Sequence, residues 1–548
     1  MAHIEALAEI QPDLPPPKPE KPAPKKTTPR KRKAPSQATP AEPRVATRRS
    51  GRVVMNQRSE EEKEAAKEEE DRLYQEKREQ ERIAKHGPRQ IEALAGITGC
   101  GEQEGLIEMF NDVLIPFSKS YKAVAKDDED SKVKVEEEDT KARRTVKKER
   151  NGSVSPKKAT ASSPTKGGSV APATKAELSN FKAKVDEVEH RATVKIVPER
   201  IYAMVVHPHS DKEIIFAGDK SGHVGVWDAT QAGLEDEDGD ATKGSYWHWK
   251  QHYRTVSTLK FAPHDYNNLY SGSYDCTLRR LNFETGIHEE VIDADHWDSY
   301  NEQDNLIHSF DFDLTGHNLW AVDNQGGLIH RDLREPMEAA RRWAADAKKR
   351  KIGGVSVNPS NPSIAVTAHL RGDLKIWDIG KLADLPEDAE RSMLDDCVVA
   401  TNIHKNAVSS AYFDRTGTNI LTTSYDDKLR VFEMDPWKLS TIHGKEYEPV
   451  AMMNHDCQVG RFVSVFKAQW SMCPTLPLHL HVGNMKRTLD VYAPVTTPAS
   501  TKNQVRVRGL MDDSISAVPA VTASHPIREC VYAGGNSSGK VSLYTLPT

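Results

Sequence analysis

One pattern of turns recurs along this chain and limits what it can fold into. Residues 196–230 read IVPERIYAMVVHPHSDKEIIFAGDKSGHVGVWDAT. Ile201 to Val206 is an apolar run, broken at Pro208, which lacks a donor, and at Ser210-Asp211, which favour turns. Ile214 to Ala217 is a second run, and Asp219-Lys220-Ser221-Gly222 is a tight turn with a glycine available for positive φ. Val224 to Asp228 is a third run ending in Trp-Asp. Aligned on Trp227, the pattern returns at Leu281, Arg331, Trp377, Phe432, Tyr492 and Tyr544, in steps of 54, 50, 46, 55, 60 and 52 residues. Such a period belongs to a unit of short strands stretched by loop insertions. A unit of this size cannot bury both faces alone, and stacking units around an axis buries them. The spacing therefore predicts an all-β, seven-bladed WD-repeat β-propeller.

The blades after the first are expected at 256–286, 307–334, 352–380, 408–435, 462–492 and 515–546, with insertions at 231–250, 286–305, 381–403 and 436–460. Blade seven runs out of chain after its third strand, so residues near 192–198 are expected to supply the fourth and close the ring, leaving no open edge. The propeller is predicted over 191–548 and is preceded by a long, mostly disordered region carrying a charged helix. Residues 1–56 form a basic, Pro-rich tail too poor in apolar residues to build a core. Within it, Lys25-Lys26 and Arg30 to Lys33 read as a nuclear-targeting cluster, and Arg48-Arg49-Ser50-Gly51-Arg52 as an arm for a DNA minor groove. Residues 57–86 are nearly all Glu, Lys, Arg, Gln and Ala, a coiled-coil type of composition. Lacking an apolar seam, they predict a single solvated helix. Residues 87–120 hold the apolar positions of the N-terminal part, from Ile91 to Phe117, and predict a short segment that docks on the propeller or on a partner. Residues 121–190 read as a disordered linker with proline-directed sites at Ser155 and Ser163. Limited proteolysis is expected to strip the N-terminal third and leave a compact core.

The six cysteines have no metal-ligand spacing and read as reduced thiols of an intracellular protein, with no cofactor implied. No apolar run of membrane-spanning length is present, so no membrane partner is expected. Phosphate-loop, nucleophile-elbow and zinc-protease motifs are all missing. His252, His404 and His455 each precede a blade, where a structural histidine is expected. The chain therefore reads as a binding protein and not an enzyme. The net charge of −5 excludes little, so local patches must decide. Cations cluster near blade connections: Lys195, Arg200, Lys220, Arg279, Arg280, Lys348 to Lys351, Arg371, Arg430, Arg461, Lys486 and Arg487. Equivalent turns of different blades gather on one face, and a ring of cations there suits nucleic-acid phosphates. Tyr246-Trp247-His248-Trp249-Lys250 reads either as a base-stacking segment or as blade packing.

The strings IVPERIYAMVVHP, AGDKSGHVGVWD, LYSGSYDCTLRRLNFETG, LTTSYDDKLRVFE and NHDCQVGRF resemble the fungal DNA damage-binding WD-repeat family known as changed mutation rate proteins. This family is similar to the small, lesion-recognising subunit of the UV-damaged-DNA-binding complex. The resemblance covers about 190–548. It implies a nuclear protein of DNA metabolism that binds double- and single-stranded DNA through one propeller face, prefers UV-damaged DNA and meets chromatin proteins. The DNA-binding residues so implied, together with the charge reading, are Arg200, Lys220, Arg279, Lys349, Arg350, Lys351, Gln458, Arg461 and Lys486. The related subunit inserts an aromatic hairpin tip into the lesion; the matching place here, Cys457-Gln458-Val459, has no aromatic. That subunit also joins a ubiquitin ligase adaptor through Trp-Asp-x-Arg motifs. Blade four ends Trp377-Asp378-Ile379-Gly380 without the arginine, and blade three ends Arg331-Asp332-Leu333-Arg334 without the tryptophan. A substrate receptor or scaffold for a cullin-type ligase or chromatin complex is therefore the alternative reading.

Overall fold

The computed structural model describes residues 69, 72–73, 76–77, 79–84, 87–92, 97–99, 103–122, 174–235, 241–297, 304–434, 447–493 and 505–547. The basic tail, the cluster at Lys25 to Lys33, the Arg48 to Arg52 arm and the serines at 155 and 163 lie outside them. The chain divides into two compact units, Met1–Gln75 and Glu76–Thr548. In the first, Glu69, Arg72 and Leu73 are helical, with Arg72 Nη2 3.8 Å from Glu69.

The second unit is the propeller: seven antiparallel sheets, six of them with four strands in sequence order and the seventh with its outer strand taken from the start of the propeller, two of the seven extended by a fifth strand. Blade one begins with Ile201–Val206, and its next two strands are Ile214–Asp219 and His223–Asp228. The innermost strands of the following blades are Val256–Ala262, Ile307–Phe312, Ile352–Val357, Val408–Phe413, Gln469–Trp470 and Val521–Ser524. The repeat position found by spacing is an interior position in every blade. Trp227, Leu281, Arg331, Trp377, Phe432, Tyr492 and Tyr544 are all buried. Two of the tryptophans also satisfy their indole donors, Trp227 Nε1 to Lys243 O and Trp377 Nε1 to Thr367 Oγ1, both at 2.7 Å. At the blade-one turn only glycine fits: Gly222 has φ +95°, and a Cβ there would lie 2.1 Å from His252 O.

The ring closes as the repeat arithmetic required. Glu189–Lys195 pairs antiparallel with Lys540–Thr545 as the outer strand of blade seven. That strand starts a few residues earlier than the 192–198 expected. The reason is the helix before it, Lys175–Asp186, which falls inside the stretch read as disordered linker. Thr174 and Glu177 form a reciprocal capping box at its start. Phe181 and Val185, one turn apart, are buried against Leu489, Leu510 and Tyr532. A two-residue apolar stripe in a charged stretch is too weak a periodic signal to detect without its partner surface.

The apolar segment of 87–122 docks on the propeller itself. Gln90–Glu92 pairs with the outer strand of blade two, Ile287–Asp293, and Thr98–Gly99 with the outer strand of blade one, Ser245–Lys250. Helical residues 103–122 follow, and Leu106, Met109, Phe110, Leu114 and Ile115 are buried with Trp247, Trp249, Leu281 and Phe283. This strap covers two exposed sheet edges and staples two blades together. It also decides the Tyr246 to Lys250 question. Trp247 and Trp249 are 4% and 1% exposed, so they pack the blade and are unavailable for bases.

Candidate nucleic-acid interface

In blades one, two, four and five the second turn hydrogen-bonds to the segment that leads into the same blade, so turn and entry lie together on one rim of the ring. Lys220 N donates to Arg200 O at 2.9 Å, Tyr274 N to Thr255 O at 3.0 Å, Leu370 N to Lys351 O at 3.1 Å and Tyr425 N to Ala407 O at 2.9 Å. Acids and cations on this rim are sorted by the turns themselves. Asp219 Oδ1 accepts the Ser221 and His223 backbone N–H groups at 2.8 Å, and Asp323 Oδ1 accepts those of Gln325 and Gly327 at 2.8 and 2.7 Å. Asp346 takes Lys348 N at 2.8 Å and the Arg350 guanidinium at 2.8 Å. These carboxylates are buried as turn caps, while the neighbouring lysines point to water. A chain with excess acid thus presents cations on this rim, although Asp427 and Asp456 are exposed among them.

Four of the nine residues expected to contact DNA fit that role without change. Lys220, Lys349, Arg461 and Lys486 are exposed, come from different blades or connections, and carry no ion pair among the described residues. Lys349 is held outward by a turn in which it adopts φ +51°. Gln458 is exposed too, and its amide donates to Tyr425 O at 2.5 Å, tying its loop to blade five. Lys348, Arg371, Lys405 and Arg487 are also exposed on the rim; of these Lys405 escaped the sequence reading because it lies in a single-residue cluster.

The other four are corrected. Arg279 is fully buried on the third strand of blade two, where its guanidinium lies 3.6 Å from Glu290. Glu290 also receives Arg82 of the strap at 2.9 Å, with side chains 9% and 1% exposed. Burial pushes the Glu290 carboxyl up, to about 7, against the pull of the two arginines. Arg279 is therefore part of a strap-to-blade ion cluster, and its neighbour Arg280 pairs with Glu289. Arg350 is spent on Asp346. Arg430, noted in the charge reading, is likewise spent on Asp426 at 2.5 Å. Lys351 is half-buried where the chain enters blade four, and burial pulls its ammonium down, to about 8. Arg200 is half-buried: Nη1 donates to Arg461 O at 3.0 Å and Nη2 to Tyr202 Oη at 2.7 Å. It positions a loop more than it offers a free charge.

That loop is the feature the sequence concealed. Phe462-Val463-Ser464-Val465-Phe466 is an apolar stretch of strand length, and blade six is expected from Phe462. The innermost strand is instead Gln469–Trp470. The stretch before it crosses to blade one, where Ser464 Oγ donates to Ile201 O at 2.6 Å beside the Arg200–Arg461 contact. The loop thus links the entry of blade six to the start of blade one, which blade seven separates in chain order. Phe462 is left 80% exposed beside Arg461. An exposed aromatic next to an arginine, three residues beyond Cys457-Gln458-Val459, can stack on a base. The signal available in the sequence was Gly460-Arg461-Phe462, a glycine immediately before the aromatic.

The three histidines are structural, as expected. His252 meets Asp275 at 3.0 Å and Ser271 at 2.7 Å, His404 meets Thr422 at 3.0 Å, and His455 meets Gly483 O at 2.8 Å. Among the described residues, one group has metal-ligand types in proximity, Cys276, Asp295 and Asp304, with ligand atoms within 4.8 Å of one another. Asp304 already holds Arg254 at 2.7 Å, which makes this a poor cation site. The five described cysteines are buried free thiols. No described helix is long and apolar enough to cross a membrane.

Comparison with known proteins agrees with this architecture. The family model for the WD domain, G-beta repeat, matches residues 396–433, which run from the outer strand of blade four through the third strand of blade five. A protein of Cryptococcus neoformans named DNA damage-binding protein CMR1 is 32% identical over 439 residues, covering 67% of this chain and 71% of the relative. Proteins of the same name from Neurospora crassa and Chaetomium globosum are 36% and 34% identical, covering 64% of this chain and 65% of each relative. With its seven blades in place and two thirds of its length aligned at this identity, the chain belongs to the fungal family of WD-repeat proteins named DNA damage-binding protein CMR1.

Proposed function

We propose that this chain binds DNA on the rim that carries Lys220, Lys349, Arg461 and Lys486, prefers UV-damaged duplexes, and catalyses no reaction. One observation supports the reading: exposed cations from separate blades, without ion pairs among the described residues, share a rim with a loop, tied to blade one, that leaves Phe462 80% exposed beside Arg461. The cations suit phosphates, which position a duplex without reading its sequence. The ring of Phe462 suits an unstacked base, and a lesion lowers the cost of unstacking. The names of the relatives point the same way. Single-stranded DNA and chromatin proteins are further partners on this reading. Phe462→Ala is expected to lower the ratio of damaged to undamaged affinity about tenfold, the worth of one base stack, and to leave the salt slope unchanged. Competition binding with matched duplexes measures this, and an unchanged ratio removes Phe462 from the site.

We place the protein in the nucleus on the strength of the Lys25 to Lys33 cluster. A tagged chain with those cations replaced by alanine is expected to stay cytoplasmic under fluorescence microscopy; retention in the nucleus means another signal suffices. The ligase-adaptor reading is weaker, because Arg334, the arginine of blade three's incomplete motif, is bound to Asp332 at 2.6 Å. A pulldown with nuclease separates the two, since adaptor binding survives nuclease and DNA-bridged partners do not.

A further inference from the structure

The outer strand of blade six, Val505–Leu510, and the outer strand of blade seven, Glu189–Lys195, both contribute to a cleft of about 220 Å³. The helix Lys175–Asp186 ends beside it, and Arg508 closes that end. Its Nη1 donates to Val185 O at 2.9 Å, to Asp186 O at 2.5 Å and to Val188 O at 3.0 Å. A guanidinium on the last carbonyls of a helix offsets their partial negative charge, so Arg508 is committed there. The two acids of the cleft are not offset in this way. Glu189 is exposed and carries no ion pair among the described residues. Asp512 accepts Ser514 N at 2.9 Å and the Ser514 hydroxyl, both through Oδ1. These bonds hold its carboxyl below the usual carboxylate range, which keeps it ionised at neutral pH. His190 Nδ1 lies 3.7 Å from the same oxygen, and burial pulls the imidazole down, so it is neutral there. Tyr544 completes the polar lining. It is 1% exposed, its ring meets His190 edge-on at 5.7 Å, and its buried hydroxyl has no hydrogen-bond partner among the described residues.

A buried hydroxyl left unpaired costs free energy, and folded proteins rarely leave one so. Here the orphan faces a cleft whose uncommitted charges are both negative. We infer that this cleft binds an organic cation, a guanidinium or ammonium group carried on an aliphatic stem. Two carboxylates and a hydroxyl supply acceptors, and a guanidinium brings five donors to them. Hydrogen bonds between opposite charges are stronger than neutral ones. The rest of the lining is apolar and suits the methylenes of the stem: Val188 and Leu510 are buried, and Met511 is 60% exposed at the edge. Size agrees as well. Clefts for drug-sized ligands begin near about 300 Å³, so this one takes a group the size of a single side chain. None of its residues is among the rim cations, so the site stands apart from the DNA reading.

The probes are free arginine and N-acetyl-arginine methylamide, titrated into the full chain and followed by saturation-transfer NMR. Saturable binding is expected, and the uncharged citrulline twin of the capped probe should bind at least about tenfold more weakly. Glu189→Gln and Asp512→Asn should each weaken arginine binding about tenfold, the worth of a charged hydrogen bond. Tyr544→Phe should weaken it about fivefold and leave Tm unchanged or raised, since it removes an unpaired buried hydroxyl and keeps the ring. Tighter binding of the capped probe assigns the cation to a side chain of a protein partner. Tighter binding of free arginine assigns it to a small molecule. Probes that fail to bind, a citrulline twin that binds equally well, or an affinity that Glu189→Gln and Tyr544→Phe both leave unchanged overturns the site. Duplex affinity is read in parallel and should not move in these variants, so failure here leaves the rim reading standing.

Discussion

The chain with Lys220, Lys349, Arg461 and Lys486 all replaced by alanine is expected to bind duplex DNA weakly, with the slope of log K against log salt flattened by about 3 to 4 units. Each lost phosphate contact on B-DNA removes about 0.9 of a unit, because one fewer condensed counterion is released. The four side chains are exposed and unpaired among the described residues, so they hold no core, and thermal unfolding should be unchanged. The ratio of damaged to undamaged affinity should persist, since phosphate contacts carry no base information and duplex deformability is read elsewhere. Arg200 is left in place because it acts differently. Arg200→Ala would free Arg461 O and Tyr202 Oη together, releasing the loop that carries Phe462, and should reduce both affinity and damage preference. An unchanged salt slope in the fourfold variant would assign the face wrongly and favour the protein-scaffold reading.

Phe110→Ala is expected to destabilise the propeller by about 3 to 5 kcal/mol, although residue 110 lies outside the repeats. Phe110 is 2% exposed, and its ring centre is 4.8 Å from that of Phe283 of blade two. Blades one and two complete their core with the strap, so losing the ring leaves a cavity between helix and sheet. Glu290→Ala should cost a comparable amount, about 3 to 5 kcal/mol, because it removes the buried carboxylate shared by the guanidinium groups of Arg82 and Arg279. Thermal unfolding of both variants checks this. The strap also revises what proteolysis should leave. With a protease site engineered between residues 123 and 173, the released fragment containing 87–122 should stay bound through size exclusion, since its two strands and helix are part of the blades. A fragment that separates freely, with Tm unmoved, would contradict the structural role of the strap.

The fold was legible because its period is written in interior residues. Trp227, Trp377 and Phe432 mark the same buried position in three blades, and buried positions tolerate few residue types. The missing outer strand of blade seven could be inferred from counting strands alone. Charge was less informative. Arg279 and Lys220 look alike in sequence, yet one is sealed under the strap and the other faces water. The difference lies in Glu290 and Arg82, the latter some two hundred residues away and contributed by a segment outside the repeats. Phe462 was hidden for a related reason. Its neighbours form an apolar stretch of strand length, and the contacts to Ile201 and Arg200 draw that stretch out of blade six. Helix Lys175–Asp186 likewise depends on a groove of blades six and seven that its own sequence does not announce. Local pattern specifies an element where its own periodicity is strong, and long-range contact decides where it is weak.

The most direct test is a binding titration of the full chain, across a series of salt concentrations, on one duplex with and without a UV photoproduct. The rim reading predicts tighter binding to the damaged duplex at every salt concentration, with both plots steep and parallel, because the same phosphates are contacted in each. Equal affinity for the two duplexes, or an affinity indifferent to salt, would contradict it.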